Sequence, residues 1–311
     1  MRPTFADPKT DFVFKRLFGT EEHKDLLIAL LNGLLELDEA HRVVDVELLT
    51  PEQRPAVSEL KHSIVDVKCR DARGVHYVVE MQVLNVEGFE KRVVYNVAKA
   101  YTSRLAKGQN YPALDDVIGI TICDFELWPR SAGTDVPMLS RWRMQEQHVG
   151  AVGLPELQFV FLELPKYDDT RPPVTIVERW AYFFREAGHL STVPEPLAEA
   201  PLRNALDAAR AAGFTEAEWD EYIRAGMAIQ DERGALSLAL KQGRAEGRAE
   251  GVEKGRVDGA RAILYSLLEH RGIVLNAEQT ARIAAQQDFI TLEQWTRRAL
   301  NAVAADDLFT S

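Results

Sequence analysis

The stretch DVKCRDARGVHYVVEMQ, residues 66–82, decides the fold. Its two ends are rich in β-branched and aromatic residues and read as strands, and the Asp-Ala-Arg-Gly between them reads as a turn. With Ala72-Arg73-Gly74 as a three-residue hairpin loop, Gly74 takes the left-handed position and Asp71 pairs with Val75. That register carries Asp66 opposite Glu80. Side chains alternate along a strand, so Asp66 and Lys68 share one face and Val65, Val67 and Cys69 the other, while Glu80 and Gln82 share a face on the second strand. Two opposed carboxylates repel unless a cation or a proton lies between them. A divalent ion is the economical answer, and an all-oxygen site favours magnesium, manganese or calcium over zinc. The alternative is an exposed hairpin edge with solvated charges, and spacing alone leaves both readings open.

Working outward, DPKTDFVFKRLFGTEEHKDLLIALLNGLL has apolar residues at helical spacing and predicts two short helices, or one broken at Gly19. HRVVDVELLT and HSIVDVKCR predict strands before the hairpin. GFEKRVVYNVAKAYTSRLAKG predicts a helix ending near Gly108, followed by strands at DVIGITICDF, RWRMQEQHV and LQFVFLEL. Alternating strand and helix patterns predict an α/β fold with a mixed sheet flanked by helices. After Pro173 the pattern turns helical. Residues 243–259, GRAEGRAEGVEKGRVDG, place Gly at every fourth position. The expected divisions are an α/β domain over 1–172, a helical region over 173–240, the Gly-repeat charged segment over 241–260 and a small helical C-terminal piece over 261–311.

Composition narrows the functional classes. With 46% hydrophobic and 27% charged residues the chain reads as a folded soluble protein. Its longest apolar stretch, LLIALLNGLLEL at 26–37, is too short to span a bilayer, and the N-terminus lacks the apolar core of a leader peptide. Cys69 and Cys123 form neither a Cys-x-x-Cys motif nor a disulfide framework, so a reducing cytoplasm is expected. The seven histidines lack zinc-site spacing, and neither a P-loop nor a Gly-x-Ser-x-Gly elbow is present. ATP use and serine catalysis therefore have no support.

A formal net charge of -11 argues against indiscriminate nucleic-acid binding, yet residues 91–114 hold five basic side chains and no acidic one. On a helix, Lys91, Arg92, Tyr95 and Lys99 fall within an arc of roughly 100°. Basic and aromatic groups on one face can grip phosphates and stack on sugar or base; a solvated face with Tyr95 turned inward is the alternative.

Asp, a hairpin, then Glu-x-Gln resembles the PD-(D/E)XK nuclease superfamily, in the branch with Gln at the Lys position. TDFVFKRLFG, the hairpin, the helix with its following strand, FLELPKY and the Gly-repeat tail together are similar to its recombination-promoting nuclease and transposase family. The resemblance implies a metal-dependent DNA endonuclease of recombination or transposition. It implies Asp66 and Glu80 as metal ligands, the Met81 main-chain carbonyl completing the inner set, and Gln82, at the position of the superfamily Lys, as the catalytic residue that positions the attacking water. Asp11 would supply the acid of the first helix, although it also suits a helix N-terminus as a purely structural charge. The implied cofactor is magnesium, with manganese or calcium possible, and the implied partner is DNA. Neutral Gln can only hydrogen-bond, so the charge that the usual Lys carries has Lys68 and Lys99 as its candidate sources, a plain surface Lys being the alternative for each. The competing expectation is a degenerate nuclease fold acting as a DNA-binding or protein-interaction module. The Gly-repeat tail is expected to be a helix used for self-association, with a flexible charged linker as the alternative.

Overall fold

A computed structural model of the chain describes residues 2–53, 63–103, 111, 114–150 and 153–309. The helices α1 (Asp11–Phe18) and α2 (Lys24–Leu35) are separate, with the break at Gly19. Val13, Phe14, Leu17 and Phe18 recur at three- and four-residue spacing and are all buried. Strands β1 (Val46–Leu49), β4 (Val67–Asp71), β5 (His76–Gln82), β6 (Val117–Cys123), β7 (Leu139–Gln145) and β8 (Gly153–Glu163) form one six-stranded sheet in the order β1-β4-β5-β6-β8-β7. A two-stranded sheet joins β2 (Glu52–Gln53) to β3 (Ser63–Ile64). The large sheet is mixed: β5, β6 and β8 run parallel, while β1, β4 and β7 are antiparallel to their neighbours.

The hairpin has the expected register, Val67 facing Val79 and Arg70 facing His76. Gly74 sits at φ 94°, and Asp71 closes the loop by accepting from the N–H groups of Arg73 and Val75 at 2.9 and 3.0 Å. HSIVDVKCR, expected as one strand, is broken between β3 and β4. Val65 leaves the line of the large sheet because its N–H donates to Pro51 O at 3.2 Å. It packs with Val78, Val97, Ala100 and Val117, whereas Val67 and Cys69 enter the core on the other face. The expected sharing of a face by these three residues therefore fails at the break.

Helix α3 (Phe89–Thr102) forms the crossover from β5 to β6. It is described as far as Thr102, and the expected end near Gly108 lies outside the described residues, which omit 104–110. It covers one face of the sheet, and Gly119 on β6 permits its close approach: a Cβ there would lie 2.4 Å from Val97 Cγ2. The opposite face buries Tyr77, Val79, Ile120 and Leu162 against α1 and α2. The core continues past Pro173, for α4 (Ile176–Glu186) and α5 (Leu202–Ala208) add Trp180, Phe184 and Leu206 to it. A capping box starts α4, with Thr175 Oγ1 accepting from the Glu178 N–H and Glu178 accepting from the Thr175 N–H. Cys69 and Cys123 are both fully buried free thiols. Burial pushes Cys69 up to about 12, and burial followed by the charges of Glu163 and Glu80 pushes Cys123 up as well.

The chain divides into two compact units, Met1–Asp231 and Glu232–Ser311. The second has its own core, in which Val257, Leu264 and Leu268 of α6 (Glu216–His270) meet Ile283 of α7 (Ala277–Ala285) and Leu292 and Trp295 of α8 (Phe289–Ala299). The Gly-repeat segment is helical throughout, as part of α6. No helix among the described residues is long and apolar enough to cross a membrane.

Candidate functional site

The break between β3 and β4 opens one side of β5. Residues 77, 79 and 81 of a strand direct their main-chain groups to the same side, and Tyr77 and Val79 pair there with Cys69 and Val67. Met81 would continue the ladder to Val65, but Val65 has turned its N–H to Pro51. Asp66 fills half of the gap: its Oδ2 accepts from the Met81 N–H at 2.8 Å. The ladder bond that would have occupied the Met81 carbonyl is not made. Gln82 faces the other way, its carbonyl accepting from the Asp124 N–H at 2.9 Å.

Asp66, Glu80, Met81 and Gln82 line one cleft of about 790 Å³, with Lys91, Arg92, Tyr95 and Asn96 of α3 on its facing wall. Glu80 projects from β5 toward α3 and is only 8% exposed. Its Oε1 accepts from Asn96 Nδ2 at 2.8 Å. Burial raises Glu80 above the usual carboxylate range, opposed by the Asn96 hydrogen bond and then by the charge of Arg92. Burial also pushes Asp66 up to about 7, opposed by the Met81 N–H and reinforced by the charges of Glu80 and Asp11. Glu80 is thus held away from water and Asp66 is half-buried on the wall of the cleft, positions in which the charged form of a carboxylate is costly and which a bound cation would relieve.

Of the other expected residues, Gln82, Lys91, Arg92 and Tyr95 line the cleft and Asp11 and Lys99 do not. Asp11 reaches Asp66 through its field; its own carboxylate pairs with Lys15 at 2.7 Å, and Asp11 does not line the cleft. The Gln82 amide is engaged at both ends, Nε2 donating to Leu84 O at 2.9 Å and Oε1 accepting from Arg92. Arg92, rather than Lys68 or Lys99, is the cation bonded to the residue at the superfamily Lys position. Lys99 lies farther along α3, its ammonium 5.6 Å from the Tyr95 ring centre and 3.4 Å from Ser63 Oγ. Tyr95 is 39% exposed, so it does not pack inward. Lys91, Arg92, Tyr95 and Lys99 thus share one side of the helix, as the arc predicts. Glu163 is structural, fully buried at the end of β8 and bonded to the N–H groups of Leu127 and Trp128 and to Lys166.

Asn96 was not expected. It is 3% exposed, and its Oδ1 is buried without a hydrogen-bond partner. The signal in the sequence was a lone amide among Val93, Val97 and Ala100, the apolar stripe by which α3 rests on the sheet.

Among the described residues no group of three or more His, Cys, Asp or Glu could hold a metal ion. The available donors are instead two carboxylates, the Met81 carbonyl and the unpartnered Asn96 oxygen. All are hard oxygens, a set that fits magnesium, manganese or calcium and does not fit zinc.

A broken strand, two carboxylates brought together across it and a basic crossover helix together define a nuclease-type α/β scaffold. Residues 8–239 match the model of the PD-(D/E)XK nuclease family transposases, and the chain belongs to that family. No curated protein and no solved structure matches the chain. Family membership points to nuclease or transposition activity with DNA as substrate.

Proposed function

We propose that the protein is a divalent-metal-dependent DNA endonuclease acting in the cytoplasm in recombination or transposition. The observation that carries this reading is the convergence of Asp66 and Glu80 across the broken strand, in one cleft with a basic and aromatic wall. Asp66, Glu80 and the Met81 carbonyl would hold the ion, magnesium or manganese. Such an ion supplies Lewis-acid polarisation of a phosphodiester and activation of water for in-line attack. Lys91, Arg92 and Lys99 neutralise backbone phosphates, and Tyr95 offers an exposed ring for stacking. Gln82 relays the charge of Arg92 to the edge of the site. The test is relaxation of supercoiled plasmid with magnesium or manganese. The wild-type chain is expected to nick it, and Asp66→Asn and Glu80→Gln to lose nicking while keeping the wild-type far-ultraviolet circular dichroism spectrum. Cleavage that survives both EDTA and Asp66→Asn would remove the mechanism.

One observation favours the second reading, a nuclease fold retained for DNA binding. Both ends of the Gln82 amide are already occupied, so it has little capacity left to orient an attacking water. Salt-sensitive DNA binding without cleavage under any divalent ion would select that reading.

Self-association through the 243–259 segment belongs to the same proposal. Gly243, Gly247, Gly251, Gly255 and Gly259 have open space where a Cβ would stand, so a second helix could approach the backbone closely there. Interior glycines each weaken a helix by about 1 kcal/mol relative to Ala, a cost that packing against a partner would offset.

A further inference from the structure

We infer that Asn96 is a positioning residue and the third side-chain oxygen of the cation site. This rests on the reading of the cleft as a divalent-cation site. The Asn96 amide meets Glu80 through Nδ2, which donates to Oε1, the arrangement that suits the charged, accepting form of the carboxylate. The bond at 2.8 Å therefore fixes which end is left over, and the remaining Oδ1 is buried without a donor. A buried acceptor without a partner is disfavoured and uncommon, and explanation is needed for its retention. Here it occurs on the wall of the cleft that contains Asp66 and Glu80, on a residue that is 3% exposed.

The helix holds this amide tightly. Val97, the next residue, lies over Gly119, and Val93 and Ala100 on either side are buried against the sheet. With Asn96 3% exposed and its Nδ2 bonded to Glu80, its oxygen is set in place before any ligand arrives. One side chain thereby performs two tasks: Nδ2 fixes the rotamer of Glu80 and favours its charged form, and Oδ1 offers a hard donor to the ion that Glu80 binds. The amide also adds this donor without adding charge, in a cleft where two carboxylates already repel each other.

The probe is manganese alone, titrated calorimetrically into the full-length chain without DNA. Asn96→Leu keeps the volume and removes both polar atoms; its manganese affinity is expected to fall ~10-fold or more, the range seen when groups supporting a metal ligand are lost. Asn96→Asp keeps an oxygen and gives up the N–H; it is expected to bind manganese at least as tightly as wild type, with a lower melting temperature in EDTA that added manganese restores. Should the leucine variant fail to fold, Asn96→Ala makes the same comparison by removing atoms only. Wild-type affinity in Asn96→Leu, or equal weakening in the Leu and Asp variants, would overturn the oxygen-donor role. If the wild-type chain binds no manganese, or Asp66→Asn binds as well as wild type, it is the cation-site reading itself that fails.

Discussion

Asp66 stands at the point where a strand stops being a strand, and its protonation carries a stability signature. Burial holds its proton to about 7, against 3.8 for the ordinary side chain. The folded state therefore binds this proton more tightly than the unfolded state does. The associated stabilisation is fully present below about pH 3.8 and is lost as pH rises through about 7. In EDTA, the melting temperature is expected to fall between pH 5 and 8, and Asp66→Asn to flatten that slope; equal slopes in the two chains would contradict the assignment. Manganese must displace the same proton, so its affinity is expected to rise over the same interval with proton release, which calorimetry in buffers of different ionisation enthalpy would detect. On the facing wall, Lys91→Ala is expected to weaken DNA binding uniformly across sequences and to reduce the salt slope by about one.

At the scale of elements, α3 is seated on the sheet by the close approach of Val97 to Gly119 of β6. Gly119→Ala would put a methyl group 2.4 Å from Val97 Cγ2, so the helix must shift or Val97 must leave its rotamer. A loss of about 1–3 kcal/mol in denaturant unfolding is expected, the usual cost of overpacking a tight contact. Thr175→Ala, at the start of α4, should cost about 1 kcal/mol by removing the cap on the Glu178 N–H. The elements that could be read from the sequence were those whose residues carry a local code. The hairpin register followed from Gly74, the break between the first helices from Gly19, and the basic arc of α3 from helical spacing. The break at Val65 and Asp66 has no such code. Val65 is β-branched and suits an unbroken strand; what turns it aside is a hydrogen bond to Pro51, a partner fixed only by the tertiary fold. Asn96 was obscured for a related reason, since a single amide in a helix declares itself only when the depth of the helix and the position of Glu80 are known. The bond between Arg92 and Gln82 likewise joins groups ten residues apart that only the packing of α3 on β5 brings together.

At the scale of the whole molecule, two separate cores imply two separable stabilities. A chain ending at Asp231 retains the sheet, its helices and the cleft, and is expected to melt in one cooperative transition and to bind manganese as the full chain does. Removal of residues 241–259 tests the other end: sedimentation should show a smaller assembly if the glycine face of α6 joins copies of the chain. An assembly reduced only by the mass of the deleted residues would leave that helix without a role in association.

The two cysteines turn this architecture into a clock. Only the thiolate is alkylated at an appreciable rate, and both thiols are enclosed and kept protonated. In the native protein, iodoacetamide therefore has to wait for an opening event, and the rate of carboxamidomethylation at each position counts such events. Cys69 lies on the hairpin strand β4 and Cys123 at the far end of β6. If the hairpin lifts from the sheet independently, Cys69 will be tagged first, and manganese that clasps Asp66 to Glu80 will slow Cys69 more than Cys123. Identical rates would instead mean that the sheet opens only as a unit, and peptide mass spectrometry of timed quenches distinguishes the two from a single sample.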